Sequence, residues 1–197
     1  MIILGDIGNT ETKICLIQKN KIIKKILIPS KGKKIHILNK HFKKFKFIKL
    51  EKILFCSVVP STFNELKKYF KKKTKIKCFE LKELNLRSIL KIDVNYKQVG
   101  SDRLANAISV SAKNKNFVIL DFGTATTFDV LVGNNYKGGI ISPGIKLSLN
   151  TLSDKASLIP KINLKKISKV IGKDTNSAVR SGFFWGYAGL IDNVVNL

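Results

Sequence analysis

The sequence predicts an α/β protein built from two similar halves, and two observations carry that expectation. Short apolar runs bounded by Gly, Pro and Asn alternate with stretches at helical spacing. One plan also occurs twice, as ILGDIGNTETKICLI from Ile3 to Ile17 and as ILDFGTATTFDVLV from Ile119 to Val132. Each reads apolar strand, Asp, any residue, Gly, an Asn/Thr-rich turn, and a second apolar strand. A repeated sequence plan implies a repeated structure. The halves are expected at residues 1–115 and 116–197, closely packed because no Gly/Ser linker marks the join.

In the first half, Met1–Asp6, Lys13–Gln18 and Ile22–Pro29 are expected as three strands joined by tight turns. Ile35–Phe47 fits a basic helix. Lys52–Val59 (KILFCSVV) is nearly all β-branched or otherwise apolar, the pattern of a strand buried on both faces. Pro60-Ser61 stops it, and Ser61 is placed to cap a helix over Thr62–Lys71. Ile76–Glu80 follows as a strand. Val99-Gly100-Ser101-Asp102-Arg103 then leads into a helix over Leu104–Ala112, with Ser101 or Asp102 as its expected cap.

The pattern restarts near Lys115. Phe117–Asp121 is a strand ending in an aspartate, Gly123–Thr126 is a turn, and Thr127–Val132 and Tyr136–Ile141 are strands around Gly133-Asn134-Asn135. Pro143-Gly144 precedes a helix over Ile145–Ser153. Thr175–Leu197 reads as a largely apolar helix interrupted by Gly182, Gly186 and Gly189.

Composition narrows the function classes. No run approaches the roughly 18–20 uninterrupted apolar residues of a membrane span, and MIILGDIGNT lacks the basic start of a signal peptide. A cytoplasmic protein without a membrane partner is expected. Cys15, Cys56 and Cys78 are widely spaced among apolar neighbours, with no CxxC pair and no histidine cluster, so reduced core thiols are expected rather than zinc ligands. The net charge of +24 would suggest nucleic acid, but only three of the 37 basic residues are arginine (Arg87, Arg103 and Arg180). Nucleic-acid sites favour arginine for its bidentate contacts. The scattered lysines therefore read as a solvated surface, which can still draw in anionic ligands.

The motifs point to phosphate chemistry. In an Asp-x-Gly-Asn/Thr hairpin, glycine lets the backbone approach an anion, and the turn amides and threonine hydroxyls donate to phosphate oxygens. The aspartate at the strand tip suits a cation that offsets the charge. Two such hairpins, tipped by Asp6 and Asp121, can grip a nucleotide across a cleft. Neither a Walker A pattern nor GxGxxG occurs. At the loop-to-helix junction, Asp102 has the chemistry to orient an attacking hydroxyl and accept its proton. Arg103 beside it has the fork that grips a carboxylate.

DIGNTETK at Asp6–Lys13, VGSDRLANA at Val99–Ala107, DFGTATTFD at Asp121–Asp129, GGIISPGI at Gly138–Ile145 and IGKDTNSAVRSGFFWGY at Ile171–Tyr187 resemble the type III pantothenate kinases, in that family's order and spacing. The resemblance implies an actin-like (ribonuclease H-like) duplicated fold. It also implies ATP-dependent phosphorylation of pantothenate to 4′-phosphopantothenate, the first step towards coenzyme A. Magnesium with the ATP, a required monovalent cation (potassium or ammonium) and a homodimer with the pantothenate site at its interface are implied as well.

Carried over by position, Asp6, Ile7, Gly8, Asn9, Thr10, Glu11, Thr12 and Lys13 form the first ATP phosphate loop, and Thr124 is a second ATP contact. Gly100, Ser101, Asp102 and Arg103 form the pantothenate-binding turn, with Asp102 the catalytic proton acceptor. Thr175 is a further pantothenate contact, and Asp121 is the monovalent-cation ligand.

Two departures stand out. The family's tyrosine and proline ahead of the GxDR turn fall on Asp93 and Tyr96 here, with Tyr96 out of register. The family's pattern also continues past the equivalent of Leu197, so the second half is expected to be incomplete, with uncovered apolar helix surface. The alternatives are a catalytically silent regulator similar to the Bvg accessory factor proteins, and another actin-like sugar kinase or phosphatase. Retention of Asp6, Asp102, Arg103 and Asp121 argues against the first, and the GSDR turn against the second.

Overall fold

The computed structural model describes residues 1–32, 34–43 and 50–197. The elements run β1 (Ile2–Ile7), β2 (Glu11–Gln18), β3 (Lys21–Pro29), α1 (Lys34–Phe42), β4 (Lys52–Ser57), α2 (Pro60–Thr74), β5 (Cys78–Glu80), β6 (Lys91–Ile92) and α3 (Ser101–Val110). They continue with β7 (Asn116–Phe122), β8 (Ala125–Val132), β9 (Asn135–Pro143), α4 (Ile145–Lys155) and α5 (Thr175–Asn196). The end of the expected helix over Ile35–Phe47 lies outside the described residues.

The first sheet has the order β3-β2-β1-β4-β5. β1 and β2 form the expected antiparallel hairpin, and β4 runs parallel to β1. The second sheet has the order β6-β9-β8-β7, so its last three strands repeat the arrangement β3-β2-β1. The sequence gives no sign of β6. This two-residue strand exists only because Lys91 and Ile92 pair in parallel with Asn135 and Tyr136, far along the chain.

By contacts the chain divides into two units. One is Met1–Phe117 with Leu131–Gly138, and the other is Val118–Val130 with Gly139–Leu197.

The core of the first unit follows from strand alternation. Ile3 and Ile7 of β1, Ile14 and Leu16 of β2, Ile26 and Ile28 of β3, and Ile53 and Phe55 of β4 are all buried, and the register places them on one face. Leu38 and Phe42 of α1 and Phe63, Leu66 and Phe70 of α2 complete this core. Phe55 packs edge-on to Phe63 and at a tilt to Phe70, with centroids 6.3 and 6.0 Å away. Gly5 is required here: a Cβ on it would lie 2.0 Å from the Phe55 ring. The opposite face of the sheet carries Asp6, Lys13 and Cys56, which are register partners across β1, β2 and β4.

Two helix starts differ from expectation. α2 begins at Pro60, and its N-cap is Val59 with no side-chain cap. Proline's fixed φ and missing N–H suit the first helical position, so Ser61 falls inside the helix instead of capping it. α3 begins at Ser101, so Gly100 is the N-cap and neither Ser101 nor Asp102 fills that position.

In the second unit, Phe128 and Leu149 are buried. The Tyr187 hydroxyl of α5 donates to the Pro143 carbonyl at 2.9 Å and lies 3.0 Å from Ser148 Oγ of α4. α5 runs unbroken through its glycines, with open space beside Gly182, Gly186 and Gly189. It leaves Phe184 and Trp185 exposed. No helix among the described residues is long and apolar enough to cross a membrane.

Candidate active site

The first constellation gathers at the ends of β1 and β4 on the face away from the core. The turn after β1 is closed by the Gly8 amide donating to the Glu11 carbonyl at 3.1 Å. Asn9, Thr10 and Glu11 are exposed there. Ile7 and Thr12 bury their side chains on the core face, so these two positions offer a ligand only their main chain. Thr12 Oγ1 and Ser30 Oγ lie 2.8 Å apart, the Ser30 amide donates to the Thr10 carbonyl at 3.0 Å, and Thr62 Oγ1 donates to the Ser30 carbonyl at 3.0 Å. Ser30 thus anchors the turn from behind. Sequence reasoning missed it because its partners lie on other elements.

Asp6 projects beside this turn. Lys13 Nζ stands 3.6 Å from Asp6 Oδ2. The Cys56 thiol lies 3.6 Å from both Asp6 Oδ1 and the Gly5 carbonyl, oriented to donate. Burial, then the charge and hydrogen bond of Asp6, then the charge of Asp102, push the Cys56 thiol far above its ordinary range. It stays protonated against the Asp6 carboxylate.

Asp102 reaches this place because of the way α3 is seated. Ser101 is buried, and its Oγ accepts from the Ser57 amide at 2.6 Å while donating to the Ser57 carbonyl at 2.9 Å. Ser57 ends β4, so the clamp fixes the start of α3 to the strand that carries Cys56. The expected capping hydroxyl is therefore committed to β4. Asp102 Oδ1 accepts from the Arg103 amide at 2.8 Å. It also folds back over Gly100, where an added Cβ would lie 2.4 Å away. The N-terminal end of this helix, with its dipole, favours an anion.

The loop ahead of Gly100 is braced by Lys82, which sequence reasoning also missed. Its ammonium donates to the carbonyls of Lys97 and Val99 at 3.1 and 3.0 Å and sits 5.2 Å from the Tyr96 ring centroid. The Tyr96 hydroxyl donates back to the Lys82 carbonyl at 3.1 Å. Asp93 pairs with Lys137 at 2.6 Å and Lys91 at 3.6 Å. The Lys137 hydrogen bond holds its carboxyl below the usual range. Both residues that stand near the family's tyrosine position thus hold the loop.

The second constellation belongs to the other unit. Asp121 is exposed near the end of β7. The Gly123 amide donates to the Ala125 carbonyl at 2.9 Å, and the Gly144 amide to the Thr124 carbonyl at 3.0 Å. A Cβ on Gly144 would lie 2.3 and 2.6 Å from the carbonyl oxygens of Gly123 and Thr124, so only glycine lets this turn close. Thr175 opens α5 behind an Asp174 N-cap, whose carboxylate accepts from the Ser177 amide at 2.9 Å and hydroxyl at 2.7 Å. Those bonds hold the Asp174 carboxyl below its usual range. Among the described residues, no three His, Cys, Asp or Glu side chains gather as a metal cluster would require.

The sequence model of the type III pantothenate kinases matches residues 2–197. The chain is 64% identical over 200 residues to the type III pantothenate kinase of Pelagibacter ubique, covering 100% of this chain and 81% of that protein. It is 35% identical over 206 residues to that of Sulfurihydrogenibium sp. and 32% identical over 206 residues to that of Desulfosudis oleivorans, again covering 81% of each. Among solved structures, it resembles a Campylobacter jejuni protein named for the Baf family of transcriptional activators, with a TM-score of 0.57 at 22% identity, covering 98% of this chain and 78% of that one. It also resembles a Sinorhizobium meliloti protein named for 2-dehydro-3-deoxygalactonokinase, with a TM-score of 0.52 at 10% identity, covering 86% and 64%. The structural likenesses speak for the actin-like fold. With a match running from residue 2 to the last residue and this degree of identity to its relatives, the chain belongs to the type III pantothenate kinase family.

Proposed function

We propose that this chain transfers the γ-phosphoryl group of ATP to the primary hydroxyl of pantothenate, giving 4′-phosphopantothenate for coenzyme A synthesis. The observation that carries this reading is the seating of Asp102: Ser101 is bonded at two points to Ser57, and the Asp102 carboxylate is folded over Gly100 at the start of the helix. A carboxylate so placed accepts the hydroxyl proton as the hydroxyl oxygen bonds to the γ-phosphorus. The bond from phosphorus to the β-phosphate oxygen breaks, and its electron pair leaves with ADP. Arg103 grips the pantothenate carboxylate at the remote end of the substrate. Thr175 is a further substrate contact. The Asp6–Lys13 turn and Thr124 receive the nucleotide phosphates.

Two cations complete this reading. Magnesium enters with the ATP phosphates, and the half-exposed Asp6 carboxylate at the phosphate turn suits it. Asp121 suits a potassium or ammonium ion: an exposed carboxylate with no His or Cys gathered round it among the described residues matches a hard ion of low charge density better than it matches zinc. The working unit in this reading is a homodimer with the pantothenate site at its interface. Light scattering tests the dimer, and a monomer that is active at the same concentration contradicts it.

The function itself is tested by incubating the full chain with ATP, magnesium, potassium and pantothenate and following the product by mass spectrometry. The reading expects pantothenate to gain one phosphoryl group as ADP appears. A folded protein that binds neither pantothenate nor ATP, or that prefers a sugar, overturns it.

A further inference from the structure

A lysine far back in the chain holds the peptide that precedes Gly100. The Lys82 ammonium donates to the Val99 carbonyl at 3.0 Å and to the Lys97 carbonyl at 3.1 Å, above the Tyr96 ring. Its own main chain is fixed in turn. The Lys82 amide donates to Glu80 Oε2 at 2.7 Å, and its carbonyl accepts from the Tyr96 hydroxyl at 3.1 Å. Lys82 sits in a short helical turn, Leu81–Glu83, which is anchored by buried Leu81 and capped reciprocally by Glu80 and Glu83. The carboxylates close by have other work: Glu80 caps this turn, and Glu83 pairs with Lys67 at 3.2 Å. The ammonium thus gives up rotamer freedom to meet two main-chain carbonyls in the loop that leads to Asp102.

The Val99–Gly100 peptide is trans. A carbonyl held towards Lys82 therefore turns the Gly100 amide the opposite way and fixes the plane of the peptide. Glycine has no side chain to resist rotation of that plane, so the restraint has to come from elsewhere. Ser57 clamps the turn on one flank through Ser101, and Lys82 holds it on the other. Between these two anchors the Asp102 carboxylate lies over Gly100.

We propose that Lys82 is a positioning residue for the phosphoryl transfer. By holding the Val99 carbonyl it fixes the Gly100 peptide on which the Asp102 carboxylate rests, and so sets the direction from which Asp102 meets the substrate hydroxyl. Lys82 exchanges no proton in the step, because the hydroxyl proton goes to Asp102. This role rests on the proposed function, since it acts through Asp102.

The test is a double-mutant cycle on the full chain: wild type, Lys82→Met, Asp102→Asn and the double variant. Each is followed by single-turnover phosphorylation of pantothenate, by the KM for ATP and by melting temperature. Methionine keeps a stem over the Tyr96 ring but donates nothing. Lys82→Met is expected to slow phosphoryl transfer by roughly tenfold to a hundredfold, as for a misplaced reacting group, with the KM for ATP unchanged. In the Asp102→Asn background the same substitution should leave the residual rate nearly unchanged, because the group that Lys82 positions is already gone. Lys82→Arg, whose fork has donors for both carbonyls, should restore most of the rate.

Equal losses in the two backgrounds overturn the inference, since Lys82 then serves the fold and not Asp102. A wild-type rate in Lys82→Met overturns it as well, even where the melting temperature drops. If Lys82→Met melts below the assay temperature, Lys82→Gln, with a neutral donor on a shorter stem, carries the same comparison. A folded wild-type chain that leaves pantothenate untouched removes the proposed function and this role with it. An active wild type with equal losses in both backgrounds removes the lysine alone.

Discussion

Ser101 and Ser57 are joined at two points, with the Ser101 hydroxyl accepting from the Ser57 amide at 2.6 Å and donating to the Ser57 carbonyl at 2.9 Å. A main-chain peptide at the end of a central strand is thereby fixed to the first residue of a helix. The following residue, Asp102, inherits that position. The relationship explains why the hydroxyl does not cap its own helix and how a short turn holds the Asp102 carboxylate in place without a long side-chain network.

Gly100→Ala is expected to displace the Asp102 carboxylate, because the new Cβ would lie 2.4 Å from Oδ1. The backbone at Gly100 is extended, at φ −62° and ψ 141°, so alanine adopts it without strain and the fold should survive. A kcat lower by roughly one to two orders of magnitude is expected, in line with a misplaced reacting group, with an unchanged circular dichroism spectrum. Full activity in the alanine variant would show that the carboxylate is free to work from another rotamer.

Arg103→Lys keeps a positive charge but loses the planar fork that fits a carboxylate. Steady-state kinetics should show a pantothenate KM raised roughly tenfold to a hundredfold, from about 1.5–3 kcal/mol for a charged hydrogen bond, with a smaller effect on kcat. An unchanged KM would place the substrate carboxylate elsewhere.

Cys56 should resist alkylation. Burial and the neighbouring Asp6 and Asp102 charges push its thiol far up, and burial pushes Cys78 to about 12, so neither forms thiolate at mildly alkaline pH. Mass spectrometry after iodoacetamide treatment of the folded protein at pH 8.5 should find both unmodified, and unfolding should release both. Rapid labelling of folded Cys56 would mean that burial and the Asp6 contact do not hold the thiol protonated.

Activity should require potassium or ammonium and fail in sodium alone, and Asp121→Asn should remove that selectivity. Equal rates in sodium and potassium buffers would remove Asp121 from cation binding.

The hairpins of both halves are legible in the sequence because their signals are local: period-2 alternation broken by Gly-Asn or Gly-Thr turns. Asp6, Gly100 and Asp102 are legible for the same reason, since each belongs to a short motif. What holds them is long-range and leaves no local trace. Ser30 meets Thr10, Thr12 and Thr62, Lys82 braces Tyr96 and the carbonyl of Val99, and Ser57 seats Ser101. β6 is absent from any periodicity reading because two residues acquire strand geometry only from their distant partners. Ser61 reads as a cap by residue type, but Pro60 starts the helix one residue earlier.

The central claim is that Asp102 accepts the proton of the pantothenate hydroxyl. Single-turnover phosphorylation of pantothenate by the wild-type chain and by Asp102→Asn, with the folded state of each checked by circular dichroism, tests it most directly. Asparagine keeps the shape and the hydrogen bond but not the charged acceptor. The account predicts product formation slowed by about two to four orders of magnitude at nearly unchanged pantothenate affinity. Product formation by Asp102→Asn at the wild-type rate would contradict it.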